Sequence, residues 1–537
     1  MNHIKVFTIL IAMLSSCLRI SASSACVADS IISDFDTLIR IIEDTHPDPY
    51  TNHGGRVFYH KHAYDIRNEL LSDSNLTVNT LYKKASQFIS QLQDGHSFIN
   101  MPTISQQSPD CDTLMLVKFT YVADALIIDA IDTDTQHLLG SRLCGINGIP
   151  IDRIAERIAI AQPCENKAGR YNYMANYFRT LNFYRNLAGD SQAHITLNLT
   201  TPAGDTIDHR PTAIHYSQFS KTEKARTPVS NLFPNGLMEW KTVDSTMIFR
   251  LSTVQSRENF NFMYHNGWDF YDQLCHYYTI AHEEMPSDTL EAINRLPSMS
   301  ESFMTMLSEM KARKLDRLII DLRGNGGGWT PIVTPTLYMM YGDSYLNTDM
   351  SCRMYRRISK LYLDKINTSI ENFNLANGCE LKTGDYLFYS DKPDTRPVEE
   401  KRASFINQAF CDDTIKDLLR SLNGKPFYKP DKIYVVTDAG TFSAAFHYAF
   451  HLSQMGAIVA GDTSSQAPNC YMEVTPFTLP YSGLSGSISN TLQEFLPTTD
   501  PKAREFTPDI RLNYEDYLHF GFDSNSILLH LLSIDQQ

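Results

Sequence analysis

The sequence predicts a multidomain α/β protein, and three observations predict it. From about residue 240, short apolar runs alternate with helical segments: Thr246-Met-Ile-Phe-Arg-Leu251, a helix ending near Lys314, Leu318-Ile-Ile-Asp-Leu322 and Lys432-Ile-Tyr-Val-Val-Thr437. That is the pattern of mostly buried strands connected by helices. From Ile31 to about Asn100 the apolar positions instead recur at helical spacing, and from about 112 to 216 they alternate with period two. The 537 residues, 42% hydrophobic and 11% aromatic, supply cores for roughly three domains at ~100–200 residues each. Lys plus Arg number 47 against 61 Asp plus Glu, a net charge of −14, so no global basic field exists to hold nucleic acid or anionic lipid. With 25 Gly and 24 Pro, and no repeat at solenoid or propeller spacing, fibrous, low-complexity and array architectures are excluded.

Residues 1–26 read as a signal peptide: a basic start (MNHIK), an apolar stretch (VFTILIAML) and a small-residue end (SSCLRISASSAC). Two cleavage sites compete. Leu14, Ser15 and Ser16 before Cys17 form a relaxed lipobox, whereas Ser23 and Ala25 before Cys26 fit ordinary signal cleavage. The expected address is secreted, in the periplasm or on the cell envelope, with membrane contact only through an N-terminal lipid. Eight further cysteines are scattered without a C-x-x-C pair, which argues against a zinc ribbon or a thioredoxin-like site and leaves disulfide pairing open.

Residues 27–105 are expected to form a helical domain carrying Phe35, Leu38, Ile42, Leu81, Phe88 and Leu92 on its apolar faces. His46-Pro-Asp-Pro-Tyr50 breaks it, because proline lacks the N–H and biases its predecessor away from helix. Residues 112–216 read as a compact β-rich module, with the turn signal Asn147-Gly148 ahead of a helix IDRIAERIAIA. An α/β domain over 240–520 follows, interrupted by a polar insertion at about 356–430.

Three segments could carry chemistry. Asp321-Leu-Arg-Gly-Asn-Gly-Gly-Gly328-Trp-Thr-Pro331 follows an apolar strand, and its glycines let backbone amides approach a ligand or a developing oxyanion. The register fits neither G-x-G-x-x-G nor G-K-[ST], so no dinucleotide or phosphate cofactor is expected. Thr330 and Pro331 fit the start of a helix there. In Thr437-Asp-Ala-Gly-Thr-Phe-Ser443-Ala444, Ser443 stands between a strand and a helix. A lone serine there is commonly an N-cap, yet the same geometry presents a nucleophile beside the Ala444 amide. No Lys or Arg lies between Lys432 and Lys502, so the local sequence offers no lysine base. His447 and His451 are spaced i, i+4, but Tyr448 stands where H-E-x-x-H needs Glu, which argues against a metal. Upstream, Asp94-Gly95-His96-Ser97 puts a histidine in a turn, where alone it is usually a solvated residue.

Together and in this order, the three segments resemble the C-terminal-processing, or tail-specific, serine peptidases, a family that includes the tricorn core protease. Leu318-Ile-Ile-Asp-Leu-Arg-Gly-Asn-Gly-Gly-Gly328 matches its strand-plus-glycine signature, and Thr441-Phe-Ser443-Ala444 its T-x-S-A turn. Asp94-Gly95-His96-Ser97 resembles the D-G-H-[ST] element of the branch that uses His as base, and His46-Pro-Asp-Pro-Tyr50 an N-terminal feature of that branch. Leu143-Cys-Gly-Ile-Asn-Gly-Ile-Pro-Ile151 looks like a PDZ-type strand-turn. The resemblance spans about residues 31–512 and implies a ClpP/crotonase-like catalytic core, a PDZ-like module and an N-terminal helical domain supplying the histidine. It implies Ser443 as nucleophile, His96 as general base, and the amides of Gly326 or Gly327 with Ala444 as the oxyanion hole. Two positions depart from it: Phe446 stands where many members carry an acid, and Glu505 lies closer to Pro508-Asp509 than the family's orienting Glu. Glu505 is the expected orienting residue, with Ser97 a hydroxyl partner of His96. The implied function is a serine endopeptidase acting on peptides or unfolded proteins without cofactor or metal. The rival readings are an inactive peptide-binding protein of the same fold and, on the secretory address alone, a glycan-handling protein, for which no carboxylate pair stands out.

Overall fold

A computed structural model describes residues 28–101, 113–177, 194–348, 352–389 and 394–534, with 180, 181, 183 and 185. The expected leader at 1–26 lies outside the described residues. Five strands form the central sheet, in the order Met238–Val243, Thr246–Leu251, Arg317–Asp321, Lys432–Thr437 and Ile458–Gly461, with all pairings after the first parallel. The strand sequences read as continuous apolar runs because both faces are covered. Met247, Phe249, Leu318, Ile320, Ile433 and Val435 face one core, with Phe303, Leu337, Tyr338, Phe446 and Tyr448 from the helices Met299–Arg313, Thr334–Tyr341 and Ala444–Gln454. Their alternates Ile248, Ile319, Tyr434 and Val436 face a second core with Tyr517, Leu528 and Leu531 from the C-terminal helices.

The helical part comprises residues 28–45, Arg56–Ser72 and Val78–Ser90. Its core of Phe35, Leu38, Tyr59, Phe88 and Ile89 continues into Phe477, Leu479, Leu484 and Ile488 of a hairpin made by Asn469–Thr478 and Ser485–Glu494. Phe98–Asn100 adds antiparallel to Ser485–Glu494, so the chain leaving the helices is stitched to that hairpin as a strand. Buried Asp34 accepts from the Tyr481 and Ser482 amides at 3.2 and 2.6 Å at the same junction.

The β-rich module is a seven-stranded antiparallel sheet that takes in Lys224–Arg226 beyond residue 216. Asn147 and Gly148, at φ 50° and 77°, turn Arg142–Ile146 into Ile149–Pro150, the left-handed pair such a turn requires. Within the stretch 356–430, Tyr386–Tyr389 pairs with Arg353–Arg357, which pairs in turn with Ser485–Glu494. Part of the insertion is therefore sheet. The run RMYRR carries no period-two alternation to announce a strand. Thr330 opens a 3-10 turn rather than capping a helix, and its hydroxyl meets His447 Nδ1 at 2.9 Å. Cys144, Cys164, Cys275, Cys379, Cys411 and Cys470 form no disulfide among the described residues, and no helix among those residues is long and apolar enough to cross a membrane.

Asp34→Ala removes the acceptor of the part-buried Tyr481 and Ser482 amides at the helical junction. The expected loss is ~1–3 kcal/mol, read as a lowered thermal unfolding midpoint.

Candidate active site

Because Arg317–Asp321 and Lys432–Thr437 pair in parallel, the loop Gly324–Gly328 and the turn Asp438–Ser443 leave the same edge of the sheet side by side. The carboxyl edge of parallel strands is where α/β folds place their ligands. Buried Asn325 ties the edge together: Nδ2 donates to Leu251 O at 2.9 Å, Oδ1 accepts from Gly327 N at 2.9 Å, and its carbonyl accepts from Phe442 N at 2.9 Å. Asp438 Oδ1 receives the amides of Gly324 and Gly440 at 2.8 and 2.9 Å. Two glycines are obligatory. Gly327 has φ 106°, and a Cβ there would lie 2.6 Å from Ser443 Cβ, while at Gly328, with φ 145°, it would lie 2.1 Å from Val254 O. Trp329 pins the far end of the loop against Phe410 and Phe262, with ring centroids 4.5 and 5.0 Å away.

Ser443 has φ 53° and ψ −126°, a conformation that costs a non-glycine residue ~1–3 kcal/mol and persists only where its surroundings impose it. Here the Ser443 amide donates to buried Gln466 Oε1 at 2.5 Å, and Thr441, two residues earlier, is held through Leu322 O at 3.0 Å and Ser464 Oγ at 2.6 Å. The hydroxyl makes no capping bond, so it is not spent as an N-cap. The Ala444 amide, first of its helix, and the Gly326 amide carry no hydrogen bond among the described residues, whereas Gly327 N is committed to Asn325. Of the two glycine amides expected as oxyanion donors, Gly326 is the free one.

His96 arrives from the helical part and lies against Phe442, next to Ser443, with ring centroids 4.6 Å apart. Neither ring nitrogen is in full hydrogen-bonding geometry with a group among the described residues, although the Tyr471 backbone lies close enough to favour the protonated ring. Burial holds its pKa below the ordinary 6.5, against the opposing charge of Asp94. The turn is built on buried Asp94, whose Oδ1 accepts from His96 N at 2.9 Å and whose Oδ2 accepts from Ser97 Oγ. His46 Nε2 faces that Oδ2 at 3.5 Å, and His46 Nδ1 accepts from Asp48 N at 3.2 Å. Burial alone would raise the Asp94 carboxyl, but His46 and the other donors carry it down to about 2. The His46-Pro-Asp-Pro-Tyr50 motif is thus a brace under the histidine turn.

Not all the expected site residues meet. Ser97 Oγ serves Asp94 and accepts from Ser489 N at 3.0 Å, so it anchors the turn to the hairpin and makes no hydrogen bond to His96. Glu505 is exposed on the loop before Pro508 and has no ion pair or side-chain hydrogen bond among the described residues. The carboxylate beside the histidine is Glu165, unannounced by the sequence, with Oε1 3.9 Å from His96 Nδ1. It sits in a polar turn between the helices Ile151–Ala161 and Lys167–Tyr177, accepts from Gly95 N at 3.3 Å and Ala467 N at 2.7 Å, and is pushed up to about 8 by burial. Phe446 is wholly buried against Phe450 and Phe506, so the position that departs from the resembled family belongs to the core. Asp94, His96 and Glu165 are also the one cluster among the described residues with metal-ligand spacing. Each carboxylate oxygen there already accepts an amide or a hydroxyl.

Burial holds His447 down to about 3. Unfolded, the same imidazole takes a proton near pH 6.5, so its contribution to stability is complete above that pH and is lost as pH falls toward 3. Between pH 7 and 5 the wild type is expected to lose about 2 kcal/mol more than His447→Gln, measured by denaturant unfolding at each pH.

Comparison with known proteins follows the same lines. Residues 290–511 match the model of peptidase family S41. No curated protein matches the sequence. Among solved structures, mature CPAF superposes with a TM-score of 0.54 at 14% identity, covering 95% of this chain and 99% of that one. Mature CPAF complexed with lactacystin gives 0.56 at 14% identity, with 95% and 100% covered. The chain shares their fold, an α/β peptidase core with additional domains.

Proposed function

Since the chain belongs over residues 290–511 to peptidase family S41, a family of serine-type peptidases acting on peptides or proteins, we propose that it is an exported endopeptidase working through an acyl-enzyme on Ser443. The observation that carries this reading is the backbone of Ser443, held in a strained turn that leaves its hydroxyl uncapped beside the free Ala444 amide and the glycine loop. Ser443 Oγ attacks the scissile carbonyl carbon while His96 Nε2 takes its proton. The amides of Ala444 and Gly326 receive the oxyanion, and the proton passes to the leaving amine as the C–N bond breaks. Water then repeats the sequence on the ester. The imidazole and the hydroxyl are not hydrogen-bonded in the free enzyme, and such contacts tighten when substrate fills the cleft.

The export half of the proposal rests on residues 1–26. The mass of the mature N-terminus checks it: a diacylated Cys17 marks the lipoprotein route, an N-terminal Cys26 ordinary secretion, and an intact Met1 refutes export.

Labelling by a fluorophosphonate tests the chemistry. Wild type is expected to label, while Ser443→Ala and His96→Ala lose labelling and peptide hydrolysis at unchanged thermal stability. A folded wild type that never labels, even with peptide present, leaves the peptide-binding reading. Gly327→Ala, which drives a methyl into Ser443, is expected to lower kcat by ~10²–10³.

A further inference from the structure

We propose that Glu165, carried by the β-rich module, is the positioning residue that orients His96, in place of Glu505. The inference rests on the peptidase reading above and names the acid that reading leaves unassigned. Of the carboxylates around the imidazole, exposed Glu473 acts only through its charge, while Asp94 and Glu165 place oxygens within 4.8 Å of a ring nitrogen, and only one of these two is available to it. Asp94 is consumed by its own turn: Oδ1 on His96 N, Oδ2 on Ser97 Oγ and facing His46 Nε2. Glu165 anchors Oε2 on Ala467 N at 2.7 Å and presents Oε1 to Gly95 N at 3.3 Å and to His96 Nδ1 at 3.9 Å. A carboxylate oxygen has a second lone pair, and Nδ1 is in full hydrogen-bonding geometry with no group, the Tyr471 backbone being the one other acceptor that acts on the ring, so a closure of under about 1 Å completes a bond to Glu165.

The turn is shaped for this approach. A Cβ on Gly95 would lie 3.1 Å from Glu165 Oε1 and 2.8 Å from Phe442 Cζ, so the glycine of Asp94-Gly95-His96 clears the space through which Glu165 and the nucleophile turn reach the ring. The Glu165 segment is held from three sides: Arg504 Nη2 on its carbonyl at 3.0 Å, Asn166 Nδ2 on Ser464 O at 3.0 Å, and the Ala467 amide on its carboxylate. Ser464 and Gln466 also fix Thr441 and Ser443, so acid and nucleophile share one frame.

The chemistry follows from the tautomer. An ionised Glu165 accepts Nδ1–H, which leaves the Nε2 lone pair for the Ser443 proton and then faces the imidazolium. A protonated Glu165 would donate to Nδ1 and put the ring proton on Nε2, where it blocks the transfer. The charged and titratable groups around the carboxyl are Asp94, His96, Cys470 and Arg504, with Cys164 beside it in the chain; burial dominates and raises it.

The experiment compares fluorophosphonate labelling and peptide hydrolysis of wild type, Glu165→Gln, Glu165→Asp and Glu505→Gln from pH 6 to 9. Glu165→Gln is expected to lower kcat by ~10²–10⁴ with KM within about twofold, and to lose the rise in rate as the carboxyl ionises; Glu165→Asp recovers part of the rate. Glu165→Gln within about threefold of wild type across the range overturns the proposal, as does a larger loss in Glu505→Gln. Should Glu165→Gln melt early, the wild type decides by proton NMR with ¹⁵N-labelled histidine. A downfield Nδ1–H signal at pH 8.5 that His96→Ala removes is expected, and its absence overturns the assignment. A folded wild type that does not label refutes the peptidase reading itself, whatever Glu165 does.

Discussion

Everything at the carboxyl edge of the central sheet hangs on one buried amide side chain. Asn325 joins the end of Thr246–Leu251, the glycine loop and the nucleophile turn through its Nδ2, its Oδ1 and its own carbonyl. A buried polar group is stable only when its partners are all present, so these three connections stand or fall together. They press Gly327 against Ser443, and the strained backbone of Ser443 is tolerated because the frame around it is over-determined.

The site is assembled from three parts of the chain, the helical one sharing its core with the hairpin. The catalytic sheet brings Ser443 and the free amides, the helical part brings His96 on the Asp94 turn, and the β-rich module brings Glu165 within 3.9 Å of it. Apolar packing glues the helical part to the hairpin through Phe477, Leu479 and Leu484. Polar contacts do the finer alignment, because hydrogen bonds such as Ser97 Oγ to Ser489 N at 3.0 Å fix direction as well as distance. Burial then sets the chemistry: it favours the neutral forms of both His96 and Glu165.

Parts of this were legible before any fold was known. The strands at 246, 317 and 432 stand out because burial on both faces demands unbroken apolar runs. The glycine loop stands out because positive φ and close approach admit no side chain, and the helix Ile151–Ala161 because its apolar positions share one face. The strands Arg353–Arg357 and Tyr386–Tyr389 were not legible. Charged and aromatic side chains replace alternation in both, and it is pairing with each other and, for the first, with Ser485–Glu494 that makes them strands.

By itself the sequence determined the local chemistry: which serine stands at a strand-to-helix turn, which glycines free the backbone beside it, and which histidine lies in an aspartate-anchored turn. Those are properties of neighbours along the chain, set by φ, ψ and short-range hydrogen bonds. Tertiary structure decided what depends on distance through space: that Gly326 rather than Gly327 keeps its amide free, that Ser97 faces the hairpin, that Glu505 faces solvent, and that Glu165 lies beside His96. A carboxylate declares its role only through its surroundings, since the same side chain is a solvated surface charge in one place and a buried partner of an imidazole in another.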